Sequence, residues 1–214
     1  MKIFHTLQEL ALCVGQTVAV SHPACVRVLL DRSYYAEVAG LSRTEDEKTF
    51  LSECQASANW LIKSLDQRAR TILKVSSEIV RQQDGFFVSG VRALRPLNLK
   101  TVADAVEMHE STVSRVTSNK YVSTPRGVFE LKYFFSASIP ATQGGESHSA
   151  EAVRHRIKDM IEQENREAVL SDDQIVERLR AYGIDIARRT VAKYRESLRI
   201  PSSVERRRIF AVGG

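Results

Sequence analysis

Ala187-Arg188-Arg189-Thr190-Val191-Ala192-Lys193-Tyr194-Arg195-Glu196 is the stretch on which the fold and function of this chain turn. On a 3.6-residue period, Ala187, Val191, Tyr194 and Leu198 form one stripe. Arg188, Ala192, Arg195 and Arg199 form a second, with Arg189, Lys193 and Glu196 beside it. A helix written this way buries one face and offers a dense row of donors on the other. Residues 171–185 read as a helix and a turn, which makes the basic helix the second of a helix-turn-helix pair. The arrangement points to a DNA-binding transcription protein.

The 214 residues suffice for one domain of ordinary size or two small ones, and a hydrophobic content of 43% argues for a folded chain. Lys and Arg number 31 against 26 acidic residues, and the resulting net charge of +5 says little by itself. Its placement says more. Residues 146–185 carry six basic and ten acidic side chains, whereas residues 186–214 carry eight and two. The sign reverses at the basic helix, as a phosphate-facing surface requires. Cys13, Cys25 and Cys54 share no metal-like spacing and read as reduced thiols of a cytoplasmic, nucleoid-associated protein, with Cys54 packed on a helix face. The first residues lack a secretory pattern, and the apolar stretch 10–20 is broken by Gly15 and Gln16 and too short to span a bilayer. No membrane partner is expected.

The expected fold class is all-α. Residues 1–40 lack a clear binary pattern, although Leu7, Leu10, Ala11 and Val14 are spaced for a short helix. Helical spacing strengthens from Glu45 through Phe50, Leu51, Cys54, Ala58, Leu61 and Ile62. Ser64, three residues before Gln67, reads as the capping box of a new helix that carries Leu65, Ala69, Ile72, Leu73, Ile79 and Val80 to about Gln83, with Asp84-Gly85 as its stop. Residues 86–91 fit a short strand or helix. Residues 99–118 then fit a helix-turn-helix. Val102, Val106, Met108, Val113 and Val116 are the apolar locks, and Ala103 is the small residue where two helices touch. His109, Glu110, Ser111, Thr112, Ser114 and Arg115 form the polar second helix and its start. Glu107 holds the turn position where positive φ favours glycine, at a cost on the order of 1 kcal/mol.

Phe129, Leu131, Phe134 and Phe135 read as core. Residues 141–149 read as a flexible linker that leaves residues 41–140 as one unit and 150–209 as another. The second unit is expected to hold three helices: 152–164, one capped by Ser171 with Gln174, and the basic helix closed by Ile200-Pro201. Ile184 and Ile186 would anchor the turn between the last two, and Arg206-Arg207-Arg208 would form a loose positive tail.

A helix in the major groove needs donors for guanine O6 and N7, which an arginine fork supplies. Arg188 and Arg189, at the N-terminal end of the basic helix, are the expected base readers. Thr190, Lys193, Tyr194, Arg195 and Arg199 are expected to contact the backbone or support the readers, fixing register without reading sequence. Enzymatic patterns are missing: His5, His22, His109, His148 and His155 are scattered, and Gly144-Gly145 is followed by no phosphate-loop Lys. No cofactor or metal is expected, and the chain is not read as an enzyme. A blander reading keeps the basic face as a docking surface for an acidic protein, an adaptor role.

Residues 187–196 resemble the signature box of the bacterial sigma-54 (RpoN) transcription factors. The resemblance also takes in Ser64-Leu65-Asp66-Gln67-Arg68-Ala69-Arg70, His109-Glu110-Ser111-Thr112-Val113-Ser114-Arg115, Thr124-Pro125-Arg126-Gly127 and Ile200-Pro201-Ser202-Ser203, and thus most of residues 31–209. It implies that residues 150–209 bind the −24 promoter element and its GG pair through the helix of Arg188 and Arg189. It implies too that residues 41–140 are the later part of a core-RNA-polymerase-binding region, with the helix-turn-helix at 99–118 near the −12 element. In the family an AAA+ activator that hydrolyses ATP drives melting through an N-terminal region rich in glutamine and leucine. This chain lacks that region, resembles an N-terminally truncated member, and is expected to bind promoters without a full response to the activator. A promoter-occupying decoy is the alternative.

Overall fold

The structure is a computed structural model that describes residues 8–13, 16–21, 28–141, 147–166 and 168–212. It opens with two antiparallel strands, β1 (Gln8–Cys13) and β2 (Gln16–Ser21), in the segment whose sequence shows no clear binary pattern. Leu10 and Ala11 lie in β1 rather than in a helix, while Leu7 and Val14 fall outside the described residues. Helix α1 (Arg32–Leu41) follows, with Asp31 accepting from the Ser33 and Tyr34 amides.

Helix α2 (Glu45–Gln82) runs uninterrupted for 38 residues, ~57 Å at 1.5 Å per residue. The expected helix start at Ser64 does not occur, because no glycine or proline breaks the helix there. The capping box is instead Thr44 with Glu47: Thr44 Oγ1 accepts from the Glu47 amide, and the Glu47 carboxylate accepts from the Thr44 amide. These backbone donors hold the Glu47 carboxyl below its ordinary pKa. Only the second half of α2 is buried, from Ile72 through Val80. Phe50, Trp60, Leu61 and Cys54 are exposed, so Cys54 is not packed as expected.

Gln83 ends α2 and is fully buried: its amide donates to the Arg95 and Phe134 carbonyls and accepts from the Arg95 amide. Helix α3 (Asp84–Ser89) and a 3-10 turn (Val91–Ala93) lead to α4 (Leu99–Val106) and α5 (Glu110–Thr117). The expected helix-turn-helix is therefore formed. Val102, Ala103, Val106 and Val113 are buried, Met108 and Val116 pack on them, and Glu107 takes the left-handed conformation at φ 55°.

The chain then departs from all-α. Strands β3 (Tyr121–Thr124) and β4 (Gly127–Glu130) form a hairpin, and β3 pairs with β2, giving a four-stranded antiparallel sheet in the order β1-β2-β3-β4. Runs this short carry too little period-two pattern to be told from loop in the sequence. Phe86 sits at the centre of the first core, with the rings of Phe87, Phe129, Tyr133 and Phe134 at 5.1–6.1 Å between centroids. Phe134 and Leu131 are buried in a second 3-10 turn (Leu131–Phe134), as expected for core.

Strands β5 (Ser138–Ile139) and β6 (His148–Ser149) pair across the segment read as a linker. Beyond them lie α6 (Ala150–Glu162), α7 (Asp172–Ala181), α8 (Arg188–Ser197) and α9 (Ser203–Val212). Among the described residues the second unit thus holds four helices where three were expected, and the residues read as a loose tail form part of α9. Its core joins Ile139, Val153, Ile157, Leu170, Ile175, Leu179, Ile184, Ile186 and Val191. The two units touch: Arg92 Nη2 lies 2.7 Å from Asp159 Oδ2, Ser136 Oγ bonds Ser149 Oγ at 2.8 Å, and Ala152 packs on the first core.

Candidate nucleic-acid interface

Ser171 and Gln174 form the expected capping box at the start of α7, and Gly183, at φ 79°, turns the chain toward α8. Ile184 and Ile186 are buried on either side of exposed Asp185 and pin that turn. Val191 and Tyr194 then hold α8 against the core, with the Arg154 guanidinium 5.0 Å from the Tyr194 ring centre. Tyr194 is half-buried, so its ring serves packing first.

With that face anchored, α8 presents Arg188, Arg189 and Lys193 to solvent. Arg188 Nε stands 3.4 Å from Asp173 Oδ1 with both side chains mostly exposed, a pair that opens at little cost. Arg189 and Lys193, one turn apart, have no ion-pair partner among the described residues. Ala187 supplies no side-chain cap, so the first amides of α8 add partial positive charge at the end where the two arginines lie. Arg199, exposed just beyond the helix, extends the positive edge, and Thr190 is half-buried beside it on the first turn.

Arg195 does not belong to that edge. It is 6% exposed. Its guanidinium donates to Asp172 from Nε at 3.0 Å and Nη2 at 3.3 Å, and to the Ile200 carbonyl from Nη1 at 2.9 Å. Of the two roles expected for it, contact with the DNA backbone and support of the readers, its burial and its three internal hydrogen bonds favour support. Spacing set Arg195 in the same row as Arg188. Asp172, 23 residues upstream, draws it inward.

In the first unit His109 caps α5, its Nδ1 accepting from the Ser111 amide at 3.1 Å. Glu110, Ser111, Ser114 and Arg115 are exposed and Thr112 is half-buried. Arg115 faces an open groove of about 570 Å³ between α5 and the middle of α2, lined also by Trp60, Lys63, Gln67, Arg68 and Lys120. Sequence reading missed this basic wall. Trp60, Lys63, Gln67 and Thr71 recur at three- and four-residue steps, and a continuous α2 would have put them on one stripe. Among the described residues no group of His, Cys, Asp and Glu could hold a metal ion, and no helix is long and apolar enough to cross a membrane.

Comparison with known proteins bears on this surface directly. A family model described as "Sigma-54, DNA binding domain" matches residues 48–208, across both units. The RNA polymerase sigma-54 factor of Caulobacter vibrioides is 69% identical over 185 residues, which make up 86% of this chain and 37% of that protein. That of Azorhizobium caulinodans is 70% identical over 182 residues, 85% of this chain and 35% of that one. The chain therefore spans little more than a third of the length of these curated relatives. The crystal structure of Aquifex aeolicus sigmaN bound to promoter DNA is similar at 32% identity and a TM-score of 0.59, covering 97% of this chain and 62% of that one.

Proposed function

The chain belongs to the sigma-54 family of RNA polymerase sigma factors, and from that premise we propose that it directs transcription initiation by reading −24/−12 promoters. Residues 150–209 are the −24 reader, with α8 in the major groove. Arg189 and Arg188 face the GG pair, and Lys193, Thr190 and Arg199 hold the flanking backbone. Residues 41–140 meet core RNA polymerase and carry the −12-proximal helix-turn-helix, with His109, Glu110, Ser111, Thr112, Ser114 and Arg115 on the DNA side. In the family an ATP-hydrolysing AAA+ activator opens the duplex, and this chain is read as responding to it incompletely. The chain is a transcription factor and catalyses no step itself.

One observation carries the reading. The N-terminal end of α8 exposes two adjacent arginines while Val191 and Tyr194 tie its other face to the core. Arginine forks match guanine's O6 and N7, and a helix held rigidly on one side can aim them. The basic wall of Lys63, Arg68, Arg115 and Lys120 in the first unit gives a second positive surface for the same duplex.

The test is a salt-titrated binding assay on duplexes with and without the GG pair, coupled to transcription with core polymerase and an activator. The reading expects tighter binding to the GG duplex at every salt concentration, and polymerase recruited to it. Equal binding to both duplexes would refute the −24 role. Occupancy without activator-dependent transcript would favour the decoy.

A further inference from the structure

Two arginines in the C-terminal unit are buried, and both reach the same turn. Arg206, on α9, donates to the Glu164 carboxylate through Nε and Nη2, each at 2.9 Å, and to the Leu170 carbonyl at 2.8 Å and the Pro201 carbonyl. Glu164 also accepts from the Leu170 amide at 3.1 Å. Arg195, on α8, grips Asp172 and the adjacent Ile200 carbonyl. Two polar clusters therefore meet at the Ile200-Pro201 turn: Arg195 ties the last turn of α8 to the start of α7, and Arg206 ties α9 to the segment between α6 and α7. Both arginine side chains are only 7% exposed, and the Glu164 side chain 1%. Removing one partner would strand a buried charge, so each cluster holds its geometry tightly.

The turn they grip is itself strained. Arg199 lies at φ 58°, the left-handed conformation that helix ends usually give to glycine. The Ile200 amide returns to the Arg195 carbonyl at 3.1 Å, closing the end of α8. A strained turn persists where its surroundings fix it from several sides. Here Arg195 holds the carbonyl on one side of the Ile200-Pro201 peptide, and Arg206 holds the next.

We propose that Arg195 and Arg206 form a double clamp that sets the angle of α8 against α7, and so places Arg188 and Arg189, without touching DNA. Arg195 is thus a positioning residue inside the segment that reads sequence. The inference rests on the reading of α8 as the groove helix. The planar guanidinium sends Nε and Nη2 to Asp172 and Nη1 to Ile200, a spread of donors that the single nitrogen of a lysine does not reproduce.

The experiment measures binding of the whole chain and its Asp172→Asn and Arg195→Lys variants to duplexes with and without the GG pair. Salt is varied, at a temperature where circular dichroism finds each protein folded. The clamp predicts that D172N and R195K each lose about tenfold in preference for the GG duplex, comparable to one base contact, with the salt slope unchanged. A phosphate-contact role predicts the opposite for D172N: losing a carboxylate would free Arg195, steepen the salt dependence and tighten binding to both duplexes. That result, or wild-type preference in R195K, would overturn the clamp. If D172N melts below the assay temperature, R195K carries the comparison, because a phosphate contact would weaken binding to both duplexes alike and leave the GG preference intact, while Glu164→Gln tests the Arg206 half of the clamp by the same loss of preference. A wild-type chain indifferent to GG would instead sink the reading of α8, and the clamp with it.

Discussion

Arg189 and Arg195 lie six residues apart in one short helix, yet one faces solvent with no ion-pair partner among the described residues and the other is buried on Asp172. Substitution should separate them cleanly. Arg189→Ala should weaken binding to the GG duplex by roughly 1–3 kcal/mol and leave thermal stability within about 0.5 kcal/mol, as for an exposed side chain. Fluorescence anisotropy and calorimetric melting would check the two halves of that expectation. The residue scale also offers a pH effect. Burial, with the Glu151 charge next in size, pushes the Tyr133 phenol above its ordinary pKa. The native state therefore keeps that proton longer than the unfolded chain, so the contribution is fully present below the ordinary tyrosine pKa and is lost as pH rises past it through the raised native value. Spectrophotometric titration should find one late tyrosinate that Tyr133→Phe removes. Exposed cations on α8 were legible in the sequence because their period is local. The inward turn of Arg195 was not, since its partner is distant in the chain.

At the scale of elements, the first helix-turn-helix follows its sequence pattern to the residue that strains it. Glu107 pays for a left-handed turn at φ 55° that glycine would adopt freely. Glu107→Gly should stabilise the unit by about 0.5 kcal/mol, the gain in strain being partly offset by the entropy of the unfolded glycine. Denaturant unfolding measures it, and a loss of stability would mean that Glu107 makes a favourable contact outweighing its strain. Ser171→Ala should cost about 1 kcal/mol by opening the capping box of α7, and should reduce DNA binding only as far as it unfolds the unit. Amphipathic periodicity made α4, α5, α7 and α8 readable. It divided α2 in two at Ser64, because Ser64 and Gln67 meet the capping pattern equally well on the side of a continuous helix. The four-stranded sheet was hidden for another reason: its pairing brings β2 beside β3, some 100 residues along the chain, and strands of four to six residues declare no partner.

The whole molecule is two cores joined by more than a tether. Residues 142–146 lie outside the described chain, but β5 pairs with β6 on either side of them, Arg92 bridges to Asp159, and α6 packs against the first unit. A Gly-rich stretch suggested free movement; the contacts between the units on either side of it carry no periodic signature in the sequence. Asp159→Ala should loosen this contact, and small-angle scattering should then record a larger radius of gyration for the variant than for the parent. Along the chain the acidic α6–α7 region precedes the basic α8. The central claim is that α8 reads guanines with its first two arginines. A double-mutant cycle tests it most directly, pairing the wild-type chain and its R188A/R189A variant with a duplex bearing the GG pair and one in which it is replaced. The account predicts that either change alone costs binding and that the two together cost little more, a coupling of roughly 1–3 kcal/mol. Fully additive losses would contradict it, because the arginines would then be contacting something other than those bases.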